Sequence, residues 1–127
     1  MRIARRFKFD AAHYLPNYDG VCSRLHGHTW YLEVEVSGSP LPSGPKQGMV
    51  IDFSDLKALV AREVIDKMDH TLLNDRFENP TAEELIRRIW NTLLQAIGDE
   101  TEGTVLLTRL RLYESPDSYA EYDGKET

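Results

Sequence analysis

Strict two-residue alternation over residues 27–38 constrains this chain more than any other feature. Trp30, Leu32, Val34 and Val36 share one parity, and Tyr31, Glu33 and Glu35 take the other. A strand sends successive side chains to opposite faces, so the segment reads as a half-buried strand with one apolar face. His26 and His28 fall on that apolar parity, at the strand's start. Both imidazoles are therefore expected to point inward, and Gly27 between them removes bulk and allows close backbone approach. Cys22, the single cysteine, lies four residues ahead of His26.

A third imidazole comes from the first strand, residues 2–13. Its odd positions Phe7, Phe9 and Ala11 are apolar and end in His13. Two antiparallel strands joined by the Tyr14 to Leu25 connection bring His13, His26 and His28 together. Three neutral nitrogens with one open position describe a catalytic rather than a structural zinc site. The plainer alternative is three hydrogen-bonded histidines in unrelated roles. A cation nearby would favour the Cys22 thiolate, usable as base or nucleophile. Cys22 could instead be a buried apolar residue, or a fourth ligand that closes the site.

The rest of the chain reads as two helices and two more strands. Met49-Val50-Ile51-Asp52-Phe53 leads into a helix with Asp52 or Ser54 as N-cap, and Leu56, Leu59, Val60, Glu63, Val64 and Met68 follow the helical period. Thr81 and Glu84 fit a T-x-x-E capping box after Pro80; Leu85, Ile86, Ile89, Leu93, Leu94 and Ile97 form the buried stripe, with Gly98 as the expected stop. A strand over Thr104 to Glu114 places Leu106, Leu110 and Leu112 on one face, with Glu114 at that face's end. A further strand, Ser118 to Tyr122, closes a hairpin across Ser115-Pro116-Asp117. Ser37 to Gly48 is an aperiodic Gly/Pro/Ser-rich exposed loop. The order β-β-α-α-β-β implies an α+β domain spanning 1–127, an antiparallel sheet with two helices on one face. Such an open sheet has two unpaired edges, and closure between copies would cover them.

Composition narrows the partners. At 127 residues the chain is one domain's worth, and its net charge of −6 argues against nucleic acid. One cysteine forms no intrachain disulfide, and no apolar run approaches the ~18 residues of a membrane span. The basic amino terminus passes directly into a strand and lacks the apolar core of a signal peptide, so the cytoplasm is expected. Asp69-His70 could form an oriented imidazole, but adjacent residues diverge on a helix, so contact requires a turn. Glu114 has two readings: pairing with a structural cation, or receiving paired N–H donors from a heterocycle.

Taken together, Phe9-Asp10-Ala11-Ala12-His13, Cys22-x-x-x-His26-Gly27-His28, Met49-Val50-Ile51-Asp52-Phe53, Asp69-His70-x-Leu72-x-Asn74, Glu78-Asn79-Pro80-Thr81-x-Glu83 and the strand ending in Glu114 resemble the 6-pyruvoyl-tetrahydropterin synthase and 6-carboxy-tetrahydropterin synthase family. The resemblance spans nearly the whole chain. It implies the tunnelling (T-) fold, with trimeric barrels stacked into a homohexamer and sites between subunits. It implies Zn(II) on His13, His26 and His28, Cys22 as proton-abstracting base, Asp69 and His70 as relay, and Glu114 as anchor of the pterin ring. The implied substrate is 7,8-dihydroneopterin triphosphate, handled without a redox cofactor. The short chain and the Cys-x-x-x-His-Gly-His spacing point to the carboxy-forming branch of queuosine-type deazapurine synthesis; the pyruvoyl-forming branch shares the same residues. Two other readings are a three-histidine zinc hydrolase or lyase, indifferent to loss of Cys22, and a non-catalytic pterin-binding zinc protein with sulfur coordination.

Overall fold

The computed structural model describes residues 1–126. Strand β1 (Arg2–His13) pairs antiparallel with β2 (His26–Ser37) over its whole length, from Arg2 opposite Ser37 to His13 opposite His26. Strand β4 (Leu106–Ser115) lies on the other side of β2 and turns through a tight hairpin into β5 (Ser118–Tyr122). A two-residue strand, β3 (Thr71–Leu72), runs parallel to β1 beside Ala11 and Ala12, completing a five-stranded sheet of order β3-β1-β2-β4-β5. Four strands were expected from the sequence. The fifth is too short to carry a period and exists only because the chain returns to β1.

Helix α1 (Phe53–Val60) starts at Asp52, whose carboxylate accepts from the Ser54 N–H at 2.8 Å. A wider π turn, Ala61–Ile65, joins it to α2 (Asp66–Met68). Leu56, Val60, Val64 and Met68 are buried at four-residue spacing. That spacing exceeds the 3.6 residues of an α-turn, and one wider turn absorbs the surplus. Helix α3 (Ala82–Thr101) begins where the Thr81 hydroxyl accepts from the Glu84 N–H at 3.1 Å. Three details differ from the sequence expectation. The helix passes Gly98, where an added side chain would meet open space, and ends at Glu102 and Gly103, both left-handed. Trp90 is buried in the stripe and Leu94 is exposed, because Leu93 takes the inward position and its neighbour turns about 100° away.

Strand β4 holds a bulge. Arg109 pairs with Glu35 and Leu107 with Val36, so Thr108 is the extra residue, its hydroxyl bonded to the Glu35 carbonyl at 3.1 Å. The slip reverses parity beyond it: Leu107 and Val105 are buried and Leu106, expected inside, is exposed. The helices pack on the face carrying Phe9, Trp30, Leu32, Leu110 and Leu112 in a single core. The opposite face is polar. Arg109 bonds Glu33 at 2.8 Å, Arg111 bonds Glu121 at 2.7 Å, and the Arg6 guanidinium lies over Tyr31 and Tyr113. Among the described residues strand β3 covers only the end of β1, so most of the outer edge of β1 is open, as is that of β5. Among the described residues no helix is long and apolar enough to cross a membrane.

Candidate metal centre and its surroundings

The register of β1 and β2 sets His13 opposite His26 and Ala11 opposite His28, at the end of the sheet nearest the start of α3. The rings gather with centroids 4.6 Å apart for His13–His26, 5.1 Å for His13–His28 and 4.8 Å for His26–His28. Trp30 closes the floor, edge-on to His13 and His28, with its indole N–H donating to the Ala11 carbonyl at 3.3 Å.

Two of the rings are fixed by backbone carbonyls. His13, fully buried, donates from Nδ1 to the Pro80 carbonyl at 2.8 Å, and His26 donates from Nδ1 to the Arg24 carbonyl at 2.6 Å. A carbonyl only accepts, so Nδ1 carries a hydrogen, and in the neutral ring Nε2 keeps its lone pair. Among the described residues the Nε2 atoms of His13 and His28 are buried without a hydrogen-bond partner. Glu114, at the end of β4, brings Oε1 to 3.2 Å from His13 Nε2 and 3.5 Å from His28 Nε2. In that neutral form the His13 lone pair faces a carboxylate, an acceptor against an acceptor, and a cation held between them would resolve the conflict. One ligand atom from each of the four residues lies within 4.8 Å of all the others. Burial lowers the proton affinity of His28, and the neighbouring His13 and His26 lower it further. The Glu114 charge opposes this without reversing it. A neutral imidazole is the form that binds a metal, so the donor set fits a divalent ion with nitrogen preference.

Cys22 lies in a single 3-10 turn, Val21–Ser23, on the loop between β1 and β2. It is half-buried, and its carbonyl accepts from the Leu15 N–H at 2.9 Å. Among the described residues its sulfur joins neither cluster of potential ligands. The structure thus brings together the three imidazoles and Glu114, with Cys22 on the adjoining loop.

The turn that an Asp69–His70 contact requires is present. Helix α2 stops at Met68, Asp69 is extended, and His70 is left-handed at φ 59°. This swings His70 Nδ1 to 3.0 Å from Asp69 Oδ2. The Asp10 N–H donates to Asp69 Oδ1 at 2.9 Å, and this bond chiefly holds the Asp69 carboxyl below its ordinary range, with His70 adding to it. The His70 N–H returns a bond to the Asp10 carbonyl at 2.6 Å. His70 is largely exposed and shares an open groove with Asp10, Thr29 and His28. Asn74 extends the β1–β3 pairing with its side chain: its amide donates to the Tyr14 carbonyl at 2.8 Å and accepts from the Tyr14 N–H at 3.0 Å. Sequence reasoning assigned no role to Asn74 or to the Pro80 carbonyl. Both lie inside motifs it had singled out.

A family model described as 6-pyruvoyl tetrahydropterin synthase matches residues 2–125. The chain is 38% identical over 143 residues to the 6-carboxy-5,6,7,8-tetrahydropterin synthase of Haemophilus influenzae, covering 95% of this chain and 97% of that protein. It is 37% identical over 122 residues to a Pyrococcus furiosus dihydroneopterin monophosphate aldolase, covering 96% of each. The solved 6-pyruvoyl tetrahydropterin synthase of Caenorhabditis elegans superposes with a TM-score of 0.81 at 25% identity, covering 98% of this chain and 96% of that one. A match along almost the whole chain, on the same sheet and helices, leaves one assignment: this chain belongs to the 6-pyruvoyl tetrahydropterin synthase family.

Proposed function

We propose that the protein is a 6-carboxy-5,6,7,8-tetrahydropterin synthase. It would convert 7,8-dihydroneopterin triphosphate and water to 6-carboxy-tetrahydropterin, acetaldehyde and triphosphate, in the cytoplasm and in service of queuosine-type deazapurine synthesis. The observation that carries the reading is the gathered trio His13, His26 and His28, with His13 fully buried and, among the described residues, the Nε2 atoms of His13 and His28 buried without a hydrogen-bond partner, in a chain of this family. Relatives bearing the carboxy-synthase name at 35% to 42% identity favour that branch.

His13, His26 and His28 would hold Zn(II). Bound there, the ion supplies Lewis acidity to the hydroxyls of the substrate side chain. The Cys22 thiolate takes a proton from a side-chain carbon. The imidazole of His70, oriented by Asp69, moves a second proton. The Glu114 carboxylate receives paired N–H donors of the pterin and sets the ring's position. The ring gains the electrons that the side chain loses, so no outside reductant enters. Among the described residues Cys22 and the Asp69–His70 pair fall in no common ligand cluster, which favours sites completed between subunits of a homohexamer.

The test is incubation of the zinc-loaded protein with 7,8-dihydroneopterin triphosphate and identification of products. Acetaldehyde with a carboxy-pterin is expected. A pyruvoyl-pterin moves the protein to the other branch, a hydroxylated two-carbon fragment indicates aldol cleavage, and untouched substrate rejects all three. In parallel, Cys22→Ala should lower turnover by about 10²–10⁴-fold with zinc content unchanged. Full activity in that variant would favour zinc-hydroxide chemistry instead.

A further inference from the structure

Asp10 and Thr29 face each other across β1 and β2, on the side of the sheet opposite the three imidazoles. The Thr29 hydroxyl donates to Asp10 Oδ1 at 2.5 Å. Asp10 is also the residue whose backbone N–H and carbonyl grip Asp69 and His70. Its carboxylate, that of Asp69 and a ring nitrogen of His70 each offer an atom within 4.8 Å of the other two. Two acidic groups therefore flank one imidazole, and only one of them, Asp69, is bonded to it.

We infer that Thr29 is a positioning residue for the Asp69–His70 pair, acting through Asp10: its hydroxyl occupies the Asp10 carboxylate so that Asp69 alone orients the imidazole. This rests on the role proposed above for His70. A free Asp10 carboxylate would compete for the Nδ1–H of His70 and repel Asp69 at short range. A hydroxyl donor weakens both effects by stabilising the negative charge on the oxygen it holds. With Asp10 bound to Thr29, His70 keeps Nδ1–H toward Asp69 and offers Nε2 to the groove. Thr29 directly follows the metal-facing His28, so the same strand would orient the relay with one side and hold the metal with the other.

The experiment compares Thr29→Val, which keeps shape and removes the hydroxyl, with Thr29→Ser, which restores it, and places Thr29→Val in an Asp10→Ala background. The expected result is a kcat about tenfold lower for Thr29→Val with KM within twofold, recovery in Thr29→Ser, and no added loss when Asp10 is already alanine. A kcat for Thr29→Val within twofold of the parent, or losses that multiply in the double variant, would overturn the inference. A second readout needs no substrate. The ¹⁵N spectrum of the His70 ring should show an Nδ1–H signal in the parent and in Thr29→Ser at one position, and a shifted signal in Thr29→Val as a second carboxylate shares that hydrogen; an unchanged ring in Thr29→Val overturns the inference. If the parent fails to consume the pterin triphosphate, the proposed function falls, while the ring spectrum still decides the role of Thr29.

Discussion

Glu114 presents one carboxylate to two imidazoles, and the proposed pterin-anchoring role separates from metal ligation by substitution. As an anchor of the pterin it is needed for binding, not for the metal. Glu114→Gln should then keep zinc and raise KM about 10- to 100-fold, the worth of one charged hydrogen bond. Zinc loss on dialysis would make Glu114 a ligand instead. His28 carries a pH dependence whose sign is fixed. Burial keeps its folded-state proton affinity below that of an ordinary imidazole, so the unfolded chain takes up the proton first. Its contribution to stability is present above pH ~6.5 and is lost as pH falls below that value. The metal-free protein should show a falling thermal midpoint from pH 7.5 to 5, and Glu114→Gln should steepen the fall by removing the charge that opposes the shift. At this scale the sequence was informative where parity governs: His13, His26 and His28 follow from counting in twos. The Pro80 and Arg24 carbonyls that orient two of those rings did not, since no side-chain pattern marks which carbonyl a fold will bring near.

At the scale of elements, α3 does more than cover the sheet. Thr81 caps it, and the preceding residue, Pro80, supplies the carbonyl that fixes His13. Thr81→Ala should cost about 1 kcal/mol of stability from the lost cap. It should also weaken zinc binding, by up to about tenfold, through the loosened His13 partner. Calorimetry and a zinc competition titration check the two effects; a lowered midpoint with unchanged zinc affinity would confine Thr81 to the helix. Strands β1, β2 and β5, the Asp52 and Thr81 caps, and the helical stripes apart from Trp90 and Leu94 were legible. What escaped were features set by packing between elements: the bulge at Thr108 that turns Leu106 outward, and the two-residue β3. Gly98 misled because a glycine whose place a side chain could fill is no barrier to a helix held inward by Ile97.

At the scale of the whole molecule, most of the outer edge of β1 is unpaired, and the exposed His70 stands beside its far end, bonded to Asp10. An unpaired edge favours strand addition by another copy. If Cys22 and His70 of one site come from different chains, two dead variants should rescue each other. Cys22→Ala and His70→Ala, unfolded together and reassembled, should regain about a quarter of the parent activity by random assortment. No recovery would put the whole site in one chain. One bond has a consequence well beyond the pocket. His13 is joined on its Nδ1 side to the peptide that starts the longest helix, so whatever grips the ring at Nε2 also steadies that helix's first turn. Stripping the protein with a chelator should therefore quicken deuterium uptake at the amides of Glu84 and Leu85, a distant gauge of whether the imidazoles are engaged.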